Sequence, residues 1–307
     1  MNAPRRAPRR RLDGVLLLDK PLGLSSNQAL QTVRRLYNAE KAGHTGTLDP
    51  LATGLLPLCF GEATKFSSAL LDADKRYVAT VQLGVTTDTA DAEGLVIAQQ
   101  SVNVTREDVE QVLTSFLGDV EQVPPMHSAL KRDGKPLYEY ARKGIVLERS
   151  PRRVRIYRMQ LLEWMDDHFI FEVSCSKGTY VRTLAADLGE RLGCGGHLAA
   201  LRRTAIGAFD IVQAHPLSWL EGLDGPARDA LLLPPDTLLG NLCVATLDAT
   251  DALRMRQGQA VRWAGDAGTR MRAYDATHRF IGVCQLTDDG WLRPQRLVGR
   301  QPDEFDS

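Results

Sequence analysis

No apolar stretch in the sequence approaches the roughly 20 residues needed to cross a bilayer as a helix, and the opening MNAPRRAPRRRLDG holds none of the apolar segment that directs secretion. The expectation is a cytoplasmic protein with no membrane partner. Cysteine is scarce and scattered. Cys59, Cys175, Cys194, Cys243 and Cys284 make an odd number with no CxxC pair, which argues against disulfides and zinc and for free thiols in a reducing compartment. The six histidines form no HxxxH or HExxH arrangement, so no metal ligand set is visible and no metal is expected. Excess charge of either sign is missing too, since 38 Lys and Arg balance 38 Asp and Glu; the protein is not coated in positive charge as a whole. No internal repeat is present.

What is there is the composition of an ordinary globular chain: 307 residues, 43% hydrophobic and 25% charged, enough for one large domain or a large and a small one. Neutral overall, the chain still gathers arginine locally. Arg5, Arg6, Arg9, Arg10 and Arg11 lie in the N-terminal tail, Arg149, Arg152, Arg153, Arg155 and Arg158 form a second cluster, and Arg202 and Arg203 a third. Such stretches suit phosphate contacts and are also common as solvated faces. Residues 1–11, rich in Pro and Arg, are expected to be a disordered basic tail.

GVLLLDKP (14–21) reads as a buried strand, followed by a helix opening at Ser25 or Ser26 with Leu30, Val33 and Leu36 on one face. Strand-like alternation marks YVATVQLGV (77–85), VRIYRMQLLEW (154–164) and HFIFEVSCS (168–176). TREDVEQVLTSFLG predicts a helix capped by Thr105, with Val109, Val112, Leu113 and Phe116 as its apolar stripe and Gly118 as its stop; TYVRTLAADLGERLG predicts another, closed by Gly193. Strands and helices mix without a regular βαβ rhythm, so the predicted class is α+β on a mixed, largely antiparallel sheet. After Pro234 and Pro235 the pattern changes to a short helix and several short strands with a hairpin signal at Asp289-Gly290, which predicts a small C-terminal β-barrel or sandwich. Its arginines (Arg254, Arg256, Arg262, Arg270, Arg272) suggest an accessory nucleic-acid module.

One stretch stands apart: GHTGTLDPLATGLLPL (43–58), where Asp49 is a single carboxylate among apolar and turn-forming residues. Locally, Asp before Pro predicts an N-cap, with a short helix from Leu51 to Leu58. Two further loops, LLDADKRYVA (70–79) and CSKGTYVRTL (175–184), carry polar or aromatic residues that an ordinary loop does not require. Tyr180 and Arg182 fall near a helix start, and an arginine there beside a carboxylate would hold it ionised. Taken one at a time, each reads more readily as a structural residue: Tyr77 and Tyr180 as core edges, Arg182 as a surface cation and His44 as a loop hydrogen-bonder.

HTGTLDPLATGLLPLCFGEATK, DKRYVATVQLG, PPMHSALK, KGTYVRTL and LGCGGHLAALRR occur in this order, and together they resemble the TruB family of bacterial tRNA pseudouridine-55 synthases. The likeness runs from GVLLLDKP to about residue 212; the C-terminal part resembles, more weakly, the small PUA-type barrel of that family. The resemblance implies a pseudouridine-synthase-type catalytic domain over 12–245, with an RNA-clamping insertion at about 124–155, and a PUA-like RNA-binding domain over 246–307. It implies isomerisation of one uridine, position 55 in the T loop of tRNA: the base is flipped out, the N1–C1′ bond is broken, and the base is rejoined through C5 with no cofactor.

Carried over residue by residue, Asp49 is the catalytic aspartate, acting as nucleophile or base. His44 substitutes for lost stacking in the RNA loop, Tyr77 stacks on the flipped base, and Tyr180 and Leu201 line the uracil pocket. Arg182 pairs with the aspartate, Lys20 supports the site, and the basic segment from Lys131 to Arg155 clamps RNA. His127 departs from the tyrosine more usual in the family. The implied partner is the T arm of tRNA, with no guide RNA, and the expected form is a monomer. From a different class, the same pocket would serve a tRNA-binding or folding module without chemistry.

Overall fold

The structure, a computed structural model, describes residues 8–128 and 130–299. Ten strands build one large sheet around which the N-terminal three-quarters of the chain is organised. The labelled strands are β1 (Gly14–Lys20), β2 (Ala42–His44), β3 (Ala52–Phe60), β4 (Lys75–Leu83), β5 (Gly118–Gln122), β6 (Arg152–Met165), β7 (His168–Cys175) and β8 (Gly196–Ile206). Their order is β1-β3-β8-β4-β7-β6-β5, with His215–Pro216 beside β1, β2 on β3, and Phe209–Asp210 on β8. Every pairing is antiparallel except β3 with β8 and β1 with His215–Pro216, so the sheet is mixed and largely antiparallel as expected.

Three helices cover one face: α1 (Ser26–Leu36), α2 (Arg106–Ser115) and α3 (Val181–Arg191). Each starts where its sequence dictates. Ser25 caps α1 and Thr105 caps α2, each in a reciprocal capping box, with Gln28 and Asp108 respectively. Ala29, Leu30 and Val33 of α1, Val109 and Leu113 of α2, and Leu184, Ala185 and Leu188 of α3 pack on Leu16, Leu18, Tyr77, Ala79, Val81 and Phe171 of the sheet. The opposite face buries Val15, Leu17, Leu55, Cys59 and Ile206 under Phe66, Leu238 and Leu239.

The helix expected from Leu51 to Leu58 is instead strand β3. The run is buried on both faces in mid-sheet, paired with β1 on one side and with β2 and β8 on the other, so it lacks the alternation that would have marked it as a strand. Gly54, at φ +102°, lets it pass β8, since a Cβ there would lie 2.3 Å from the Arg203 carbonyl oxygen.

After the 3₁₀ turn Pro235–Leu239, the chain enters a second, five-stranded sheet that curls into a half-barrel around Leu247, Met255, Val261, Ile281, Leu286 and Leu292. Helix α4 (Ala249–Arg256) packs on it. The half-barrel is docked on the first unit: the rings of Phe280 and Phe66 lie 5.4 Å apart, Lys65 Nζ donates to the Leu297 carbonyl at 3.0 Å, and the Tyr274 hydroxyl donates to Asp236 at 2.6 Å.

Of the N-terminal tail, residues 1–7 lie outside the described residues. From residue 8 the chain is tied down rather than free. The Arg10 N–H donates to the Asn38 carbonyl at 2.7 Å, its carbonyl accepts from Glu40 at 2.9 Å, and its guanidinium pairs with Asp229. Among the described residues no helix is long and apolar enough to cross a membrane.

Candidate active site

Asp49 sits in a turn, not at a helix start. Its carbonyl accepts from the Ala52 N–H at 3.0 Å, and the Pro50 carbonyl accepts from Gly23 at 2.9 Å. Ser26 on α1 grips the preceding residue from both sides: its hydroxyl donates to the Leu48 carbonyl at 3.0 Å and accepts from the Leu48 N–H at 2.7 Å. The turn is thereby fixed to α1 and to the loop that follows β1.

That turn forms one wall of a cavity of about 270 Å³, near the lower end of the range of small-molecule sites. Tyr77 on β4, Leu201 on β8, and Tyr180 and Arg182 at the start of α3 complete it. Five of the seven residues singled out in the sequence therefore meet here: Asp49, Tyr77, Tyr180, Arg182 and Leu201. The three loops supply the walls because β3, β8, β4 and β7 are neighbours in the sheet and α3 packs on β8 and β4.

Arg182 is the hub. One guanidinium nitrogen lies 3.1 Å from Asp49 and donates to the His127 carbonyl at 2.6 Å, while the other lies 2.8 Å from Asp91. Arg182 and Asp91 are both buried, and Asp91 is held in turn by the Thr89 hydroxyl at 2.6 Å and the Glu93 N–H at 3.1 Å. The Asp49 side chain keeps 44% exposure and lines the cavity. Burial pushes its carboxyl above the ordinary value of 3.8; Arg182 opposes this and the Asp91 charge adds to it. The expectation that an arginine would hold the carboxylate ionised is thus met in geometry, but desolvation outweighs the ion pair.

Two further candidates lie behind the wall. Lys20 is fully buried, and its ammonium donates to the Pro21 and Leu24 carbonyls at 2.9 and 2.5 Å, which fixes the loop bonded to Pro50. Burial lowers its pKa to about 8 against the pull of Asp49. His44 ends β2 opposite Leu58, with its Nδ1 buried and unpartnered; burial, and then the Arg203 charge, lower its pKa and favour the neutral ring.

Several members of the site gave no sequence signal. Asp91 lies in a turn-rich segment, DTADAEG, legible as a turn but not as the partner of an arginine 91 positions away. Gln122 brackets Tyr180, accepting from its N–H at 3.0 Å and donating to its carbonyl at 3.3 Å. Arg202 and Arg203 are no phosphate patch: Arg202 forms a two-pronged pair with Asp19 at 2.7 and 3.0 Å, and Arg203 is only 1% exposed. The second cluster differs, since Arg152, Arg153, Arg155 and Arg158 are all exposed along β6.

Comparison with known proteins identifies the family. Residues 34–181 match the TruB family pseudouridylate synthase N-terminal domain, residues 182–240 the tRNA pseudouridylate synthase B C-terminal domain, and residues 244–298 the C-terminal domain described as pseudouridine synthase II TruB. A protein of Azoarcus sp. named tRNA pseudouridine synthase B is 56% identical, over 97% of this chain and 98% of its own. One of the same name from Pseudomonas aeruginosa is 55% identical, over 94% and 97%. Among solved structures, a chain of an H/ACA RNP bound to a substrate RNA containing 2′-deoxyuridine shares the fold at TM-score 0.70 and 23% identity, over 94% of this chain and 86% of that one. A chain of a Cbf5-Nop10-Gar1 complex does so at 0.69 and 25%, over 94% and 84%. With near full-length relatives above half identity and family domains matched in series along its two units, the chain belongs to the TruB family of pseudouridine synthases.

Proposed function

We propose that this protein isomerises uridine to pseudouridine at position 55 in the T loop of tRNA, with Asp49 as the group that attacks or deprotonates the sugar. The observation that carries the reading is the placement of Asp49: a carboxylate held by a buried arginine at the wall of a cavity that Tyr77, Tyr180 and Leu201 help to line. A stacked base cannot reach such a cavity. Unstacking costs about a few kcal/mol, and stacking on an aromatic ring returns about 1 to 3 kcal/mol per base. Tyr77 and Tyr180 are placed to supply that return. A neutral His44 suits stacking in the emptied RNA loop, because no charge needs to be desolvated.

The chemistry is internally balanced. The electron pair of the C1′–N1 bond leaves with the base while Asp49 bonds C1′ or takes the adjacent sugar proton. C5 then bonds C1′ as the Asp49–C1′ bond breaks or the sugar regains its proton, the C5 proton is lost, and N1 gains one, so no oxidant or reductant is consumed. The exposed arginines of β6 supply phosphate contacts for the T arm that a neutral overall charge does not. The same reading takes residues 12–245 as the catalytic domain, with the clamping insertion at about 124–155, and residues 246–307 as the PUA-like RNA-binding domain. It places the protein in the cytoplasm as a monomer without a guide RNA.

Release of tritium from RNA labelled at uridine C5 tests the activity directly. Release by wild type and none by Asp49→Asn is the expected result, and normal release by the variant removes Asp49 from the reaction. Assistance to tRNA refolding that survives Asp49→Asn would mark a folding role for the same pocket beside the chemistry.

A further inference from the structure

Arg203 is the largest fully buried side chain among the described residues, yet its charge is paired with no carboxylate there. Its Nε donates to the Leu55 carbonyl at 2.7 Å and an Nη to the Gly46 carbonyl at 3.2 Å; it also contributes to the lining of the cavity and lies beside Tyr77, its partner in the β4–β8 register. A buried guanidinium satisfied only by neutral groups is costly, and sheets normally fill such positions with apolar residues. Burial is the main cause of the lowered pKa of His44, Lys20 and Lys75, and the Arg203 charge lowers each further. Arg182, by contrast, is neutralised by Asp49 and Asp91. That leaves Arg203 as a positive charge under the base-binding wall with no resident counter-ion.

We propose that the missing counter-ion of Arg203 is the detached uracil: its guanidinium stabilises, across the Tyr77 wall, the negative charge that the base carries between cleavage of the C1′–N1 bond and formation of the C1′–C5 bond. The inference rests on the isomerisation reading above. In either route for Asp49 the bonding pair departs with the base. A fixed cation in a site of low dielectric favours that state without having to reorganise. Arg203 acts through space and touches no reacting atom. Its two carbonyl contacts also hold the Asp49 turn through Gly46, so a structural role has to be separated from an electrostatic one.

The experiment compares wild type and Arg203→Met in single-turnover reactions on T-arm RNA containing either uridine or 5-fluorouridine at the target position. Fluorine at C5 stabilises the anionic base by itself and so reduces the need for the cation. The expected result is a rate loss of about 10- to 100-fold on uridine RNA, a deficit several-fold smaller on 5-fluorouridine RNA, unchanged RNA affinity, and a melting temperature equal to or above that of wild type. Equal deficits on both RNAs, or a lowered melting temperature with weakened RNA binding, would overturn the proposal and leave Arg203 a scaffold residue. If Arg203→Met does not fold, Arg203→Lys, which keeps the charge on a shorter reach, is carried through the same pair of substrates. There too an equal deficit on both RNAs counts against the idea. Wild-type turnover on uridine RNA serves as the control, since its absence would instead remove the isomerisation reading itself.

Discussion

Two aspartates, one in each unit of the molecule, are treated in opposite ways. In the half-barrel, Asp275 receives Arg256 at 2.7 Å, the Thr277 hydroxyl at 2.7 Å and the backbone N–H groups of Thr277 and Arg279 at 2.9 and 3.0 Å. Burial opposes its ionisation, but these donors together hold its carboxyl far below the ordinary range. Around the cavity the balance tips the other way: Asp49 has one guanidinium, shared with Asp91, and burial holds its carboxyl above the ordinary value. The first arrangement stabilises a fold. In the reaction proposed above, the second keeps a reactive group in a state that the fold does not favour, which is how functional sites trade stability for chemistry.

The comparison is broken most severely at Asp49. Asp49→Asn is expected to abolish tritium release while leaving tRNA affinity close to that of wild type. Because the folded-state pKa of Asp49 lies above its unfolded value, the ionised group costs stability at neutral pH, so the melting temperature of the variant should be equal or higher. A clear fall in melting temperature would show that Asp49 is held for structure, like Asp275.

At Asp275 the sign reverses. Its depressed pKa contributes stability that is present above the unfolded value and is lost as pH falls through the folded one. Asp275→Asn should therefore cost on the order of 2 kcal/mol at neutral pH, measured by urea denaturation, with the gap from wild type closing in strong acid. Turnover at saturating tRNA should hardly change.

The pH profile sharpens the contrast further. If turnover needs the Asp49 carboxylate, as proposed, the acid limb of kcat should lie at a higher pH than an ordinary aspartate gives, whereas the acid limb of stability due to Asp275 lies below it. Coincident limbs would remove the distinction between the two sites.

Among base contacts, Tyr77→Ala should lower turnover more than tRNA binding, because its stacking partner exists only after the base has flipped. Equal losses would make Tyr77 an ordinary binding residue. The smallest effects belong to the exposed arginines: Arg152→Ala or Arg153→Ala should weaken binding modestly and reduce the slope of log affinity against log salt by about 1. An unchanged slope would remove the phosphate role.

The sequence by itself determined most of the elements. Capping boxes, apolar stripes and alternating strands are periodic and local, and the predicted strands at 154–164 and 168–176 differ from β6 and β7 by no more than two residues at either end. Asp49, Tyr77, Tyr180, Arg182 and Leu201 were legible as a group only through the family resemblance of the motifs that carry them, since each residue read singly also fits a structural place. Strand β3 was misread as a helix because a strand buried on both faces carries no period of two.

Only the tertiary structure decided which charges meet. The Arg182 bridge to Asp91 spans 91 positions, and that of Arg202 to Asp19 spans 183. Nothing local distinguishes Arg202, paired with a carboxylate, from the buried Arg203 one residue later, which has no carboxylate partner among the described residues. Strand alternation sends one to a carboxylate on one face of the sheet and the other beneath the base pocket on the opposite face. Whether an ionisable group stabilises this fold or serves its chemistry is set by how many partners remain after desolvation, and that number is fixed only when distant strands come into register.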